Sequence, residues 1–375
     1  MSALRQLSKL PASVMWLLLL VTSSLVSAQS HAKELRRFLY VAEPGIRNYT
    51  QYGGHGIIVF DIEKDYAFVR RIPFSGLKDD GTPDNVKGIC GNAETGRLYV
   101  STIKHLICLD LRTDAVLWER QYEFGCDRMS MSPDGKLIYQ PSFENDVWYV
   151  LNAETGDEVA RVTPKSRAHN TVYGNDGKFC YLAGLASPML TVADTGKHSI
   201  VKQVGPFAGS IRPFTINHDQ SLCFVNVNDL LGFEIGDIRT GKKLHRIEVQ
   251  GFERGPVKRH GCPSHGIGLT RDEREVWVTD GHNSHLHIFD ATKMPPRQVH
   301  SIPVRAQPGW ITFSLDGKTC WPSTGDVIDV ATRKITHRLT DEEGRMVMSE
   351  KLLEIQFDGQ QPVAVGDQFG KGYAE

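Results

Sequence analysis

The sequence predicts an all-β fold, a seven-bladed β-propeller of four-stranded blades, and three observations carry that prediction. A short turn with an acidic residue recurs as "NAETG", "SPDGK", "GNDGK", "NHDQS", "TRDER", "SLDGK" and "QFDGQ", at Glu94, Asp134, Asp176, Asp219, Asp272, Asp316 and Asp358. The spacings are 40, 42, 43, 53, 44 and 42 residues, the period of a propeller blade. A second polar marker follows 18 residues later in four repeats, at Asn152, Asp194, Asp237 and Asp290. With 35 glycines and 18 prolines in 375 residues, the composition suits a turn-rich β protein.

Each unit reads the same way in order. In the sixth, a short apolar run at 266–269 precedes the acidic turn, "EVWVTDG" gives a second strand, "LHIFD" a third with period-two alternation, and "RQVHSIPV" a fourth. Such a sheet has two apolar faces and can bury both only between neighbours packed around an axis. The first unit is incomplete: residues 36–75 supply only later strands, and "EKLLEIQFDG" near the end looks like the missing first one. The expectation is a first blade stitched from N- and C-terminal segments. A C-terminal hairpin lying outside an incomplete ring is the alternative, because "PVAVGDQFG" adds another strand-like piece.

Ahead of the repeats, Arg5 and Lys9 precede an apolar run from Val14 to Val26 and small residues up to Ala28. This pattern predicts a secretory signal over 1–28, cut after Ala28, and a single propeller domain over 29–375. The apolar run is shorter than the ~20 residues a bilayer span needs, and no later segment could cross. A soluble, secreted or periplasmic monomer is therefore expected. The charge balance, 43 basic against 44 acidic residues, argues against a nucleic-acid partner. The seven cysteines form no CxxC pair, so they are expected mostly as core residues, and an odd number leaves at least one thiol free. "NYT" at Asn48 fits a glycosylation acceptor.

The runs "SPDGKLIYQ", "NDGKFCYLAG" and "REVWVTDG" resemble the YVTN-type repeat of YncE-like secreted bacterial propellers, in the quinoprotein amine dehydrogenase-like, WD40/YVTN repeat-like superfamily. The resemblance spans residues 34–375. It implies the propeller fold, export, and a binding role in general; it names no ligand.

In a propeller, the loops entering the innermost strands open on one face around the central channel, where function concentrates. Counting back seven positions from each acidic marker gives the residues at that mouth: Lys87, Asp127, His169, Arg212, His265, Gly309 and Lys351. A wet channel mouth tolerates polar side chains, yet the run of acid, imidazole and guanidinium from Asp127 to His265 also suits proton transfer or binding. Lys87, Arg212 and Lys351 against Asp127 favour an anionic ligand such as a carboxylate or sugar acid. Longer loops point to the same face. "QGFERGPVKRHGCPSH" offers Arg254 and His260, "EPGIRNYTQYGGHG" offers Tyr52 and His55, and Trp310 offers an apolar wall.

The leading expectation is a binder of a small anionic ligand or a protein partner, with no cofactor. The alternative is a lactonase-like hydrolase in which His169 or His265 is the general base, Asp127 orients an imidazole and Arg212 holds the oxyanion. A further alternative is a transition metal on His265, His282 and His285, since histidine is a common ligand and His285 and His287 share a strand face. GxSxG, HExxH, P-loop and GxGxxG motifs are missing.

Overall fold

The computed structural model of the protein describes residues 35–373, so the expected signal segment 1–28 lies outside the described residues. Seven antiparallel sheets form the seven blades. Blade 1 takes its inner strand Leu352–Asp358 from the C-terminal part of the chain and its next three, Leu35–Glu43, Gly56–Asp61 and Ala67–Ile72, from the N-terminal part. Leu35 pairs with Asp358 and Val41 with Leu352, so the ring is closed by main-chain hydrogen bonds between segments more than 300 residues apart. The inner strands of blades 2 to 7 are Val86–Asn92, Ser130–Met131, Ala168–Tyr173, Ile211–Ile216, Ile267–Leu269 and Ile311–Phe313. Among the described residues, no helix is long and apolar enough to cross a membrane.

The period-two pattern becomes packing at the interfaces between blades. Along Leu35–Glu43, Phe38, Tyr40 and Ala42 join Ile89, Leu98 and Val100 of blade 2, while Leu39 and Val41 join Trp321 and Val327 of blade 7. Similar apolar clusters fill the other interfaces, so one strand contributes to two cores and no blade is buried without its neighbours. All seven cysteines are unpaired and buried, the packing role their positions predicted.

The repeated markers Asp134, Asp176, Asp219, Asp272 and Asp316 are turn-formers, each accepting from the N–H two residues on. Asp134 Oδ1 accepts hydrogen bonds from Ser132 Oγ (2.6 Å) and Lys136 N (3.1 Å), and Gly135 takes the left-handed φ of +69° that the turn requires. The second markers do the same, Asp237 Oδ1 accepting from Arg239 N (2.7 Å) and Thr240 N (3.0 Å). Their recurrence records local backbone geometry, and the chemistry lies elsewhere.

The C-terminal piece neither leaves the ring incomplete nor packs outside it. Gln361–Val365 adds a fifth strand to blade 1 on the hub side of Leu352–Asp358. The chain then crosses the hub. Gly370 O accepts from Leu269 N of blade 6 and Thr215 Oγ1 of blade 5, both at 2.8 Å, and Trp310 Nε1 of blade 7 donates to Gln368 O at 2.5 Å. Because inner strands run from the charged mouth toward the acidic turns, contacts near Ile216 and Leu269 place this tail at the far end of the channel. The mouth is therefore a cup with a floor.

Candidate functional site

The cup at the mouth is a cavity of about 520 Å³, within the size range of small-molecule sites. Inner strands of six blades, or the residues leading directly into them, bring Lys87, Asp127, His169, Arg212, His265 and Lys351 to its wall, the set obtained by counting back from the turns. Blade 7 is the exception, and its mouth residue is Gly309. The space there belongs to His260 from the long loop after blade 5: a Cβ on Gly309 would lie 2.0 Å from His260 Cε1. The loop is fastened to blade 7 through Gln307, whose Oε1 accepts from Lys258 N (3.1 Å) and Arg259 N (3.0 Å). The extra length between Asp219 and Asp272 thus supplies the side chain that blade 7 lacks.

Two linked polar clusters organise the wall. In the first, the Asp127 carboxylate lies between Lys87 Nζ (3.2 Å) and His169 Nδ1 (2.8 Å). Burial alone would raise the Asp127 carboxyl, but Lys87, His169 and Arg128 overcome it and hold it at about 2. Burial moves His169 the other way, below the ordinary histidine value, against the pull of Asp127. The imidazole is then neutral at neutral pH, with its Nδ1 proton donated to Asp127 and a lone pair on Nε2. That Nε2 is buried and has no hydrogen-bond partner.

The second cluster centres on Glu350. Its Oε2 receives Arg128 Nη2 (2.9 Å) and Lys351 Nζ (2.8 Å), and its Oε1 lies 3.0 Å from His260 Nδ1. Burial would raise Glu350, yet Lys351 and His260 hold it well below the carboxylate range. Lys351 is pushed down to about 7 by burial, with Glu350 opposing. Arg128 lies over the Trp310 ring, its Cζ 3.4 Å from the ring centroid, and its buried Nη1 has no partner. His265 donates toward Gly309 O from Nδ1 (2.8 Å) and stacks on His260 at 5.0 Å; burial lowers it well below the usual histidine value.

Other predicted site residues lie outside the cavity wall. Trp310 is a wall at one remove, behind Arg128. Tyr52 accepts a hydrogen bond from Arg259 Nη2 (2.6 Å) and fixes that lining arginine. His55 packs on Phe74 with its ring 4.9 Å away, and Arg254 donates to Asp229 O (2.7 Å). Arg128 and Glu350 were not singled out from the sequence, whereas Arg259 belongs to the long cationic loop that was. The first two are immediate neighbours of Asp127 and Lys351, and a rule choosing one residue per blade passes over them.

The metal expectation meets a different grouping. Among the described residues, the ligating atoms within 4.8 Å of one another belong to His260, His265 and Glu350. His282 and His285 instead face main-chain oxygens of Pro256 (3.2 Å) and Asn283 (2.7 Å). Two imidazoles and a carboxylate are suitable donor types. Here, however, Arg128 and Lys351 already sit on the carboxylate, and both His260 nitrogens face oxygens, Glu350 Oε1 and Gln307 O at 3.0 Å each. The donors are committed to an ion-pair network, and as arranged they do not fit a metal ion.

No protein-family model and no curated protein matches this chain. The propeller architecture fits ligand or protein binding in general.

Proposed function

We propose that the protein is an exported propeller of the YVTN type that binds a small carboxylate, of sugar-acid size, in the cup at its channel mouth. The observation that carries this reading is the charge of the wall, where seven lysine and arginine side chains face four carboxylates around a cavity of about 520 Å³. One of those cations, Arg128, holds a buried donor with no protein acceptor. A buried donor left unpaired costs about 1–3 kcal/mol, which an anionic oxygen would recover. Concavity favours a small molecule over a protein surface, since protein partners generally meet broad, flatter patches.

The oriented Asp127–His169 pair favours a second reading, an enzyme on the same scaffold. It has the base and its positioning carboxylate that the hydrolase alternative asks for.

Calorimetric titration with gluconate, galacturonate, inorganic phosphate and the neutral methyl galactoside tests the binding reading. Carboxylates should bind and weaken as salt rises, while the neutral sugar should not bind. Equal binding of the neutral sugar, or binding of none of the probes, would remove the anion site.

A further inference from the structure

We infer that the cup is catalytic and that His169 is the general base of a β-elimination on a uronate, a sugar acid carrying a C–O bond β to its carboxylate. The inference rests on the anion-binding reading and adds a reaction to it. Three features lead there.

The first is the base. His169 lines the cavity, its Nδ1 is held by Asp127 at 2.8 Å and its buried Nε2 has no partner, so the direction of the free lone pair is fixed. Asp127 is the positioning residue, itself fixed by Lys87 Nζ at 3.2 Å and by Arg128 N at 2.9 Å. A histidine held this way resists the rotations that would aim its lone pair elsewhere.

The second is what the surrounding groups stabilise. Hydrolysis of a neutral carbonyl calls for donors aimed at a new oxyanion, commonly paired backbone N–H groups. The unpartnered donor here is a guanidinium nitrogen of Arg128, and Lys87 is a second cation beside the base. That pairing suits a carboxylate already present in the substrate. Neutralising its charge acidifies the neighbouring C–H, because the carbanion formed there is delocalised into the carboxylate as a dianionic enolate.

The third is the committed state of the rest of the wall. Glu350, Lys351 and His260 are bound to one another, which leaves His169 Nε2 and Arg128 Nη1 as the buried atoms of the cup's ionic clusters without protein partners. One is an acceptor and one a donor, matching an acidic hydrogen and a carboxylate oxygen.

The step balances without a further reactant. His169 Nε2 takes the α-proton, the C–H electron pair becomes the Cα=Cβ bond, and the Cβ–O bond breaks. The departing oxygen takes a proton from water, and the imidazolium returns its proton to solvent. The products are an α,β-unsaturated carboxylate and an alcohol.

The experiment has two arms run on one panel: galacturonate, glucuronate and mannuronate disaccharides, each linked through the oxygen β to the carboxylate. Calorimetry reports binding. Absorbance of the conjugated product, with deuterium wash-in at the α carbon followed by NMR in heavy water, reports proton abstraction. The expected result is that at least one disaccharide binds and is converted. His169→Gln should keep its affinity within about threefold while lowering turnover by at least about 10²-fold. Asp127→Asn should lower kcat far more than it alters KM, as a positioning role demands. Binding with neither product nor wash-in would overturn the elimination and leave the anion site standing. Conversion undiminished in the His169→Gln protein would overturn the role of His169. Binding of no panel member or gluconate would defeat both readings together.

Discussion

His260 fills the place that a side chain at position 309 would occupy, with its Cε1 2.0 Å from where a Gly309 Cβ would be. Six blades present a polar side chain at the mouth; the seventh presents a gap, and a loop from two blades away fills it. His260 ties that loop to the ionic wall of the cup through Glu350 Oε1 (3.0 Å) and to blade 7 through Gln307 O (3.0 Å). A substitution at 309 should therefore act on Glu350 without touching it.

Gly309→Ala is expected to destabilise the protein by about 1–3 kcal/mol, the range for overpacking a filled interior. It should also weaken carboxylate binding, because His260 is displaced from Glu350. Pairing it with His260→Ala should recover part of the stability, a coupling that a double-mutant cycle of chemical denaturation measures. Two effects that simply add would show that the close approach is not the cause.

Arg212 is held at the rim by Asn228 Oδ1 (2.6 Å) and Gly261 O (3.3 Å), both partners belonging to loops. Arg212→Ala should abolish carboxylate binding in calorimetry while changing unfolding free energy by less than about 1 kcal/mol. If the variant unfolds instead, the arginine is a structural tie for the long loop and its place in the ligand site is wrong.

Lys351 makes the stability of the fold depend on pH. Its folded-state value is about 7, below the 10.5 of a free lysine. Between those two pH values the unfolded chain keeps the proton that the folded chain has lost. Wild-type stability from this group therefore rises with pH across that window, by up to about 1.4 kcal/mol per unit, and is flat below it. Lys351→Met should lack this slope in denaturation curves taken from pH 6 to 10. Parallel pH profiles for the two proteins would count against the burial of a titrating ammonium. The same loss of charge above pH 7 should weaken anion binding in the wild type.

Much of the architecture was legible because a propeller repeats. The acidic turns recur as each blade needs the same tight reversal, as Asp134 with Gly135 illustrates. The alternation in "FLYVA" is readable because Phe38 and Tyr40 face one neighbour while Leu39 and Val41 face the other. Counting back from the turns found Lys87, Asp127, His169, Arg212, His265 and Lys351, since a fixed strand length carries each turn to a fixed height on the hub. That arithmetic is blind to residues arriving from outside the repeat. His260 was noticed only as one cation-rich loop residue among several, and Arg128 and Glu350 went unremarked beside the positions being counted. His282 and His285 gave a ligand-like spacing, yet their strand and turn direct them to Pro256 and Asn283 carbonyls.

The sequence by itself determined the number of blades and which residue of each blade stands at the channel mouth, and it pointed to closure by the two ends while leaving an outside hairpin open. These depend on local periodicity and turn chemistry, which neighbouring residues encode. Only the tertiary structure decided which groups pair and which remain free. Asp127 and His169 come from different blades, as do Arg128 and Glu350, and their separations are set by how seven sheets pack around one axis. The tail that floors the cup follows the same logic, since its hydrogen bonds reach blades 5, 6 and 7, which are far from it in sequence and adjacent to it at the hub.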